Sequence, residues 1–392
     1  MSTTPPADLS SLFERKKHIS FLLRCLRLLP QPYTSADEQR MTLGYFALSG
    51  LDLLGALDKI PPDEKTELVE WVYDQQSPTG GFRGSPSSTA PSSSSSQGAN
   101  IAMTYAALLI LAVLQDDFER LDRKGLLRFV GALQDTAGEG GFAAEEEAAG
   151  GVVDRDPRFT YCAVAICSML GEWARVDRGK AGEYLEACQR YDGGFGASRM
   201  HEAHSGMTYC CVAGLYLLDR VHNGSMWARQ ADALAWLAHR QVAPSLPDST
   251  SATQPKQDTA QPEPQDNDSD DDNDTSELSG GFQGRPEKLP PDVCYSFWNG
   301  AALSLLGAHP LIDAFADAGY VLSAQSRVGG IAKIPDDHPD LLHTYLGLAS
   351  LSLHQSGSTG VAGIEFGLKR LDAAYNCSST AKEWIRAHLT RS

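Results

Sequence analysis

A Gly-Gly pair followed by Phe or Ile recurs five times along this 392-residue chain. The pairs begin, with spacings of 60, 53, 87 and 49 residues, at Gly80, Gly140, Gly193, Gly280 and Gly329. Without an acidic stretch of about 35 residues in the longest interval, the period is about 50 throughout, which is typical of repeat proteins. A chain longer than about 300 residues otherwise exceeds the usual size of one compact domain. We therefore predict a single repeat domain over residues 1–392.

An apolar helix follows each Gly-Gly turn, and a further one, beginning near Thr42, precedes the first turn. In ANIAMTYAALLILAVL, residues 99–114, apolar side chains cover nearly every helix face, which indicates burial all round. The intervening helices, such as KTELVEWVYDQQ, carry one apolar stripe and one polar face. Six buried helices alternating with amphipathic ones predict an all-α fold, an α–α barrel (toroid) of six helical-hairpin repeats whose inner helices all point one way.

Short sequence signatures mark these repeats. A glutamine stands before each Gly-Gly turn, where an outer helix ends. Four of the inner helices begin with a Thr-Tyr pair, at residues 104, 160, 208 and 344. In the inner helix that follows the turn at Gly280, we interpret Cys294-Tyr295 as the corresponding pair.

Two low-complexity segments interrupt the repeats, at residues 85–98 and 242–279. Their Ser-, Pro- and Asp-rich composition cannot supply a packed core, so we predict disordered insertions on loops of the ring. The net charge of −17 is concentrated there, because residues 247–279 hold ten acidic residues against one lysine, a balance of −9 that leaves −8 for the rest. The folded body is only mildly acidic, which argues against a nucleic-acid-binding surface.

The cysteines and the hydropathy pattern bear on the compartment. Five of the eight cysteines lie in apolar helical text such as YCAVAICSML and TYCCVAGLYLL, where they act as small buried hydrophobic residues, and the spacing indicates no disulfide framework. We find no run of about 18 uncharged apolar residues, and the N-terminal residues lack the apolar region of a signal peptide. We therefore expect a cytoplasmic protein that is not an integral membrane protein.

The segment 280–298, GGFQGRPEKLPPDVCYSFW, combines a turn, cations, a carboxylate, a thiol and aromatic residues just before an apolar helix. Measured from the first glycine of the turn, Asp292 stands at +12 and Cys294 at +14, and His343 stands at +14 in the next repeat. Equivalent positions of neighbouring repeats lie side by side at one rim of a closed ring. Asp, Cys and His supply three zinc ligands and leave a fourth position open, as in catalytic zinc sites. The alternative is a small buried cysteine and a helix-start histidine without a metal.

Basic residues lie near the same turns. His204 stands at +11 from the first glycine of its turn. Arg285 and Lys288 lie between the fourth turn and its helix, and Arg158 begins an earlier inner helix. Because arginine offers bidentate contacts and lysine a point charge, this set suits a diphosphate. The alternative is a solvated rim, the usual place of scattered basic residues.

Four stretches carry a resemblance to a known family, GGFQGRPEKLPPDVCYSFWNGAAL, VGGIAKIPDDHPDLLHTYLGLASLSL, ANIAMTY and YFALSGLD. They resemble the β subunits of protein prenyltransferases, most closely that of protein geranylgeranyltransferase type I. The resemblance runs from about His18 to Leu353, apart from the two insertions. It implies an α–α barrel that binds a helical-repeat α subunit, with zinc and an isoprenoid diphosphate at one end of a funnel lined by aromatic residues.

The resemblance also implies roles for individual residues. The matches to its zinc ligands are Asp292, Cys294 and His343, and the matches to its diphosphate-binding set are His204, Arg285, Lys288 and Tyr295. Arg158 matches an arginine near the isoprenoid and the peptide C-terminus, and Trp298 matches one wall of the lipid funnel. The matches to the pocket for the last residue of the acceptor peptide are Thr42, Phe46 and Leu342. Between Lys288 and Asp292 this chain has one residue more than the family pattern.

Two of the matched positions bear on lipid choice and on magnesium. Farnesyl-transferring relatives carry a bulky Trp at the position of Thr42, so the small residue here leaves room for a fourth isoprene unit. Those relatives also have, ten residues before the zinc histidine, an Asp that holds Mg²⁺, whereas this chain has Lys333 there. An ammonium group supplies the same positive charge, so we expect Lys333 to act in catalysis without Mg²⁺. The alternative is a solvated loop lysine.

These expectations combine into one function. They describe the catalytic β subunit of a zinc-dependent protein geranylgeranyltransferase type I, which transfers geranylgeranyl from its diphosphate to the cysteine of C-terminal CaaX motifs, X being mainly Leu, in proteins such as Rho-family small GTPases. The alternatives within the enzyme class are a farnesyltransferase or Rab-type β subunit. Outside it, they are a terpene-cyclase-like toroid or a non-catalytic scaffold. The acidic cluster at 270–272 lies in the predicted disordered segment, which argues against cyclase chemistry.

Overall fold

The computed structural model describes residues 9–88, 98–146, 155–221, 227–243, 280–286, 289–355 and 364–390. Within these stretches, no helix combines the length and the apolar character needed to cross a bilayer. Lys288, nearly all of the predicted insertion at 242–279 and most of that at 85–98 lie outside the described residues.

The described residues form thirteen α-helices. In chain order they are α1 (Arg15–Arg27), α2 (Arg40–Leu53), α3 (Pro62–Asp74), α4 (Ile101–Val113), α5 (Arg123–Ala132), α6 (Pro157–Leu170), α7 (Arg178–Ala187), α8 (Ser205–Leu217), α9 (Gln230–Ala238), α10 (Val293–Leu305), α11 (Ala314–Ser323), α12 (Leu341–His354) and α13 (Ser379–Trp384). A 3-10 segment, Gln31–Gln39, precedes α2. The two antiparallel strand pairs are β1 (Ile331–Ala332) with β2 (Pro339–Asp340), and β3 (Leu371–Asp372) with β4 (Cys377–Ser378).

The even-numbered helices from α2 to α12 form a closed inner ring. Each packs against the next, and α12 packs against α2. Their apolar residues are buried on almost every face, so that in α4 all residues except Ala102 and Met103 are buried. The odd-numbered helices from α1 to α11 lie outside and bury fewer residues, as in α3, where only Val72 and Tyr73 are buried. The predicted all-α toroid of six helical hairpins is confirmed.

The Gly-Gly turns pass close to the outer helix of the next repeat. Gly80 has a φ of +108°, and a Cβ there would lie 2.1 Å from the carbonyl oxygen of Gly125 in α5. Gly329 has a φ of +89°, and a Cβ there would lie 2.1 Å from the carbonyl oxygen of Lys17 in α1. Other residues are excluded by both the conformation and the contact, which explains the recurrence of glycine. The contact between Gly329 and α1 also joins the last repeat to the first.

The glutamine before each turn forms hydrogen bonds to the backbone of the next repeat. The side chain of Gln134 accepts from the backbone N–H of Asp177 at 2.8 Å and donates to the carbonyl of the same residue at 2.9 Å. Gln325 makes the equivalent link at the ring closure, where it donates to the carbonyl of Leu12 and accepts from the N–H of Glu14. The glutamine signature therefore reflects a bond between adjacent outer helices.

The C-terminal segment closes one end of the ring through buried tyrosines. Five inner helices each direct one hydroxyl to a backbone carbonyl of residues 373–376, from Tyr45, Tyr105, Tyr161, Tyr209 and Tyr345. A buried hydroxyl needs a partner, and these carbonyls provide it. The five tyrosines stand at the fifth or sixth residue of their helices, so these inner helices run in the same direction and begin at the same level. This closure was not predicted from the sequence.

The α10 helix departs from the Thr-Tyr signature in a way that corrects the predicted alignment. In four inner helices a threonine stands four residues after the N-cap, and its Oγ1 accepts the N–H of the residue that follows the Gly-Gly pair. These threonines are Thr104, Thr160, Thr208 and Thr344. The cap of α10 is Asp292, so the corresponding pair is Ser296-Phe297 and not Cys294-Tyr295.

The positions of Cys294 and His343 are therefore not equivalent. Cys294 follows its cap, Asp292, by two residues, whereas His343 follows its cap, Asp340, by three. Their equal offset from the Gly-Gly pairs arises because the loop before α10 is one residue longer than the loop before α12. The two residues nevertheless lie in the first turns of neighbouring inner helices.

The described residues include the edges of both low-complexity segments. Residues 85–88 are described, and Ser85 is buried and hydrogen-bonds to Ser87. At the other segment, the N–H of Val242 donates to the carbonyl of Gly281 at 2.9 Å, and the N–H of Gly280 donates back to Val242 at 2.9 Å. These first residues belong to the turns, while 89–97 and 244–279 lie outside the described residues.

Candidate metal centre

Two inner helices begin at the same place on the rim. The carboxylate of Asp292 caps α10 by accepting the N–H of Cys294 at 2.8 Å. The carboxylate of Asp340 caps α12 by accepting the N–H of His343 at 2.9 Å. Because α10 and α12 pack side by side, these caps bring a carboxylate, a thiol and an imidazole together.

The three predicted metal ligands form a compact group. One oxygen of Asp292, the sulfur of Cys294 and one ring nitrogen of His343 all lie within 4.8 Å of one another. Zinc binds oxygen, nitrogen and sulfur at about 2.0–2.3 Å, so its tetrahedral ligands lie about 3–4 Å apart. The group therefore fits a zinc ion in both donor chemistry and spacing, with only small adjustments of the side chains.

Asp340 orients the imidazole. Its Oδ2 lies 2.6 Å from Nδ1 of His343, and Nε2 of the same ring lies 3.2 Å from Oδ1 of Asp292. A carboxylate on the far nitrogen is the usual second partner of a metal-binding histidine, since it fixes the ring and its tautomer. Sequence analysis missed Asp340, although an Asp three residues before a helix-start His is a recognisable cap signal.

The charges of the metal-free group favour a protonated histidine. Burial opposes an imidazolium, but the hydrogen bonds to Asp292 and Asp340 outweigh it and raise the pKa of His343 to about 9. Burial and the adjacent carboxylate of Asp292 raise the pKa of the Cys294 thiol well above its ordinary value. A divalent cation would replace the proton on His343 and favour the thiolate.

Lys333 lies at the edge of this group. Its Nζ is 4.0 Å from Oδ2 of Asp292, and its side chain is 56% exposed. Its backbone carbonyl accepts the N–H of Val293, the first residue of α10, at 2.9 Å. The lysine is therefore partly solvated, as the alternative interpretation expected, but it is also fixed through its backbone beside the predicted ligands.

Buried polar contacts hold α10 against α12 beneath the ligands. Asp317 of α11 accepts from the Ser296 hydroxyl of α10 at 2.6 Å and from the Ser350 hydroxyl of α12 at 3.1 Å. His354 of α12 lies 2.7 Å from the same carboxylate. All of these side chains are fully buried, so the relative positions of the two helices are fixed by groups without access to water.

Among the predicted diphosphate-binding residues that the structure describes, His204 and Tyr295 meet where α8 and α10 begin. Nε2 of His204 lies 3.1 Å from the hydroxyl of Tyr295, and Nδ1 of His204 caps α8 by accepting the N–H of Gly206. Burial and the nearby charges of Arg285 and Arg158 lower the pKa of His204 to about 4. The two arginines thus lie close enough to act on the same imidazole, which is neutral at physiological pH.

Both arginines are paired with carboxylates. The guanidinium of Arg285 lies 3.4 Å from Glu202. Arg158 makes two hydrogen bonds of 2.9 Å to Asp156, whose carboxylate also caps α6. An anionic ligand at this rim would therefore compete with Glu202 and Asp156 for the cations.

The predicted pocket residues lie next to the metal-ligand group around the ring. Thr42, in the first turn of α2, hydrogen-bonds through Oγ1 to Sδ of Met103 at 3.2 Å. Phe46, one turn further, stacks on Tyr345 of α12 with ring centroids 5.8 Å apart. Leu342 is half-buried and adjoins His343 in α12.

Trp298 lies on the opposite side of Cys294, within α10. Its ring packs against Tyr209 and Phe297, with centroids 5.1 and 5.0 Å apart. These packed aromatic rings lie in the same helix as Cys294 and in its neighbour α8, and the role of Trp298 in a lipid funnel stays a prediction.

Comparisons with known proteins agree with this arrangement. The Prenyltransferase alpha-alpha toroid domain matches residues 13–377. The geranylgeranyl transferase type-1 subunit beta of Arabidopsis thaliana is 35% identical over 387 residues, covering 94% of this chain and 93% of that protein. The protein of the same name from Dictyostelium discoideum is 30% identical over 368 residues, covering 88% and 92%.

A solved structure shares the whole fold. Candida albicans protein geranylgeranyltransferase-I complexed with GGPP has a TM-score of 0.77 to this chain at 24% identity, covering 96% of this chain and 99% of that one. At this identity the structural likeness establishes the fold, while the family follows from the sequence matches. The chain belongs to the prenyltransferase alpha-alpha toroid family, among the relatives of geranylgeranyl transferase type-1 β subunits.

Proposed function

We propose that this chain is the catalytic β subunit of a protein geranylgeranyltransferase type I. In this role it transfers geranylgeranyl from its diphosphate to the cysteine thiol of C-terminal CaaX motifs, in which X is mainly Leu. The observation that carries the proposal is the group of Asp292, Cys294 and His343, with ligand atoms within 4.8 Å, at the rim that also carries His204 and Tyr295. Two relatives named geranylgeranyl transferase type-1 subunit beta, at 35% and 30% identity, support it.

The metal in this proposal is one zinc ion held by Asp292, Cys294 and His343. Bound zinc lowers the pKa of a coordinated thiol, and so keeps the substrate cysteine as the nucleophilic thiolate at neutral pH. The contribution of the chain is geometric. Asp340 holds the imidazole of His343, and the helix cap fixes Asp292 relative to Cys294, so that three ligands are arranged before the metal binds.

The leaving diphosphate gains negative charge as the bond to the isoprenoid carbon breaks. In our proposal His204, Arg285, Lys288 and Tyr295 bind it, and Lys333 supplies a further positive charge in place of Mg²⁺. Burial raises the pKa of Tyr295 to about 12, so its hydroxyl remains a donor at neutral pH. Neutral His204 donates through one ring nitrogen while the other accepts from the helix start.

The remaining parts of the proposal concern substrates, partner and compartment. Arg158 lies near the isoprenoid and the peptide C-terminus, Trp298 lines the lipid funnel, and Thr42, Phe46 and Leu342 shape the pocket for the last peptide residue. The protein acts in the cytoplasm as a heterodimer with a prenyltransferase α subunit, on proteins such as Rho-family small GTPases. A farnesyl-transferring β subunit is the alternative that the small Thr42 disfavours, and a Rab-type β subunit is the alternative that transfer to a CaaL peptide would exclude.

The test uses the heterodimer obtained by co-expression with a prenyltransferase α subunit. We expect one zinc per heterodimer and transfer of geranylgeranyl to a CaaL peptide in preference to farnesyl transfer to a CaaM peptide. Cys294→Ala and His343→Ala should lose zinc and turnover but keep their helical circular dichroism, whereas Cys25→Ala should keep all three. Full zinc and full turnover in either site variant would show the site to be misassigned, and a wild-type protein without zinc or transfer would favour a scaffold.

A further inference from the structure

The N–H groups at the starts of the inner helices make similar hydrogen bonds around the ring. In three helices the first N–H donates to a backbone carbonyl in the loop of the next repeat, at 2.8–3.0 Å, the donors being Ile101, Ser205 and Val293, and in α2 the N–H of the second residue, Met41, does the same at 2.9 Å. In α6 the first residue is Pro157, which has no N–H. Each of these bonds fixes the start of one inner helix against its neighbour at the rim where the candidate site lies.

In the sixth inner helix, α12, the first N–H donates to a side chain instead of a loop carbonyl. The N–H of Leu341 donates to the hydroxyl oxygen of Tyr33 at 2.9 Å. Tyr33 belongs to the segment Gln31–Gln39, which precedes α2 as the loops precede the other inner helices. The phenol therefore takes the place of the loop carbonyl at the point where the last repeat meets the first.

This bond lies next to the proposed zinc ligand. Leu341 stands directly after Asp340, which holds Nδ1 of His343, and two residues before His343 itself. Leu341 is completely buried, so water cannot replace a lost acceptor, and an unpaired buried N–H is costly enough to shift the first turn of the helix. A small shift there changes the distance of 3.2 Å between His343 and Asp292.

We propose that Tyr33 is a positioning residue for the metal centre, because its hydroxyl fixes the start of α12 and so the placement of His343 and Asp340. This inference rests on the proposed zinc site. It gives a side chain of the N-terminal segment a role at a centre whose ligands all lie in the last two repeats.

The test measures metal affinity, not only activity. The heterodimer is stripped of zinc and titrated with Co²⁺, whose absorption spectrum reports thiolate ligation and coordination geometry, and with zinc in competition with a chelator. Tyr33→Phe keeps the ring and removes the hydroxyl. We expect its affinity for both metals to fall about tenfold, the low end of losses seen when supporting partners of metal ligands are removed. The control is Tyr184→Phe, in α7. It removes a hydroxyl that donates to the carbonyl of Arg155, and it should bind both metals like the wild type.

A second variant removes the donor. Leu341→Pro is compatible with the backbone, because the first helical position accepts proline, as Pro157 shows in α6, and because Asp340 has an extended conformation. If the hydroxyl acts through this N–H, Tyr33→Phe should cause no further loss of metal affinity in the Leu341→Pro background. If Tyr33→Phe does not fold, we expect Leu341→Pro to show the same loss of about tenfold by itself.

The outcomes separate the two proposals. Wild-type affinity in Tyr33→Phe, or an equal loss in both backgrounds, would overturn the role of Tyr33 while leaving the zinc site in place. A fall in thermal stability without a change in metal affinity would do the same, since it would show a merely structural bond. Failure of the wild-type protein to bind either metal would overturn the zinc site and, with it, the role of Tyr33.

Discussion

Nε2 of His343 lies 3.2 Å from Oδ1 of Asp292, so one imidazole joins the first turns of two inner helices that are about fifty residues apart in the chain. The other nitrogen of the ring is held by Asp340 at 2.6 Å. The imidazole is therefore fixed from both sides in the protein without a metal. A zinc ion that replaces the proton between His343 and Asp292 would find its ligands already oriented, so little ordering is needed on binding.

The first prediction concerns Asp340. Asp340→Asn should lower zinc affinity about 10- to 100-fold, because it replaces the negatively charged carboxylate at Nδ1 of His343 with a neutral amide. Asn remains a good helix cap, so α12 should start at the same residue. Chelator competition measures the effect, and Asp313→Asn, at the cap of α11, is the control that should bind zinc normally. Equal zinc affinity in the two variants would contradict the role of Asp340.

The second prediction concerns the pH dependence of stability. Burial and the charges of Arg285 and Arg158 lower the pKa of His204 to about 4, whereas an unfolded histidine has a pKa of about 6.5. Between these values the unfolded chain binds a proton that the folded chain does not, so the stabilising contribution is complete above about pH 6.5 and is lost as the pH falls toward 4. His204→Asn retains a capping side chain and removes this titration.

The measurement is the thermal midpoint of the zinc-free protein as a function of pH. We expect the wild type to lose stability more steeply than His204→Asn between about pH 6.5 and 4.5. Using zinc-free protein for both removes the contribution of metal release at low pH. Parallel profiles would show that His204 is not shielded from protonation in the folded chain.

The third prediction concerns the choice of lipid. Thr42→Trp should shift the preference between the two diphosphates toward farnesyl by at least about tenfold, because an indole beside Met103 fills the space of a fourth isoprene unit and a packed wall yields little. Competition between geranylgeranyl and farnesyl diphosphate for one peptide measures the ratio. Thr42→Ser stays small and should keep the original preference. An unchanged ratio in Thr42→Trp would place Thr42 outside the lipid pocket.

The fourth prediction concerns magnesium. Nζ of Lys333 lies 4.0 Å from Asp292. If its charge acts on the departing diphosphate as proposed, single-turnover rates of the wild type should be nearly independent of Mg²⁺. Lys333→Asp should be about 10²- to 10³-fold slower in Mg²⁺-free buffer and recover in millimolar Mg²⁺. Lys333→Met should be slow under both conditions. Strong activation of the wild type by Mg²⁺ would exclude this role.

Much of the architecture follows from local patterns in the sequence. The Gly-Gly pairs predict the repeat because a turn pressed against the next outer helix, as at Gly80, leaves no space for a Cβ. The apolar helices predict the inner ring because only a helix buried on all sides has apolar residues on every face. The proximity of Asp292, Cys294 and His343 could also be predicted, since residues that start neighbouring inner helices must meet at one rim.

The details of the candidate site depended on contacts that have no sequence period. The pair Cys294-Tyr295 was aligned with the Thr-Tyr signature, but the loop before α10 is one residue longer, and only the helix cap at Asp292 shows that Ser296 holds the equivalent position. Tyr33 acts on α12 over a separation of 308 residues, and the carbonyls of 373–376 receive the tyrosines of five helices.

The division has a physical reason. Periodic burial and glycine turns are imposed on each repeat separately, so the sequence by itself determined the toroid, its inner and outer helices and the grouping of Asp292, Cys294 and His343. A closed ring must also join its last repeat to its first and seal one end, and those contacts form between segments that share no pattern. The placement of Tyr33, the tyrosine contacts of the C-terminal segment and the orientation of His343 by Asp340 were therefore decided only by the tertiary structure.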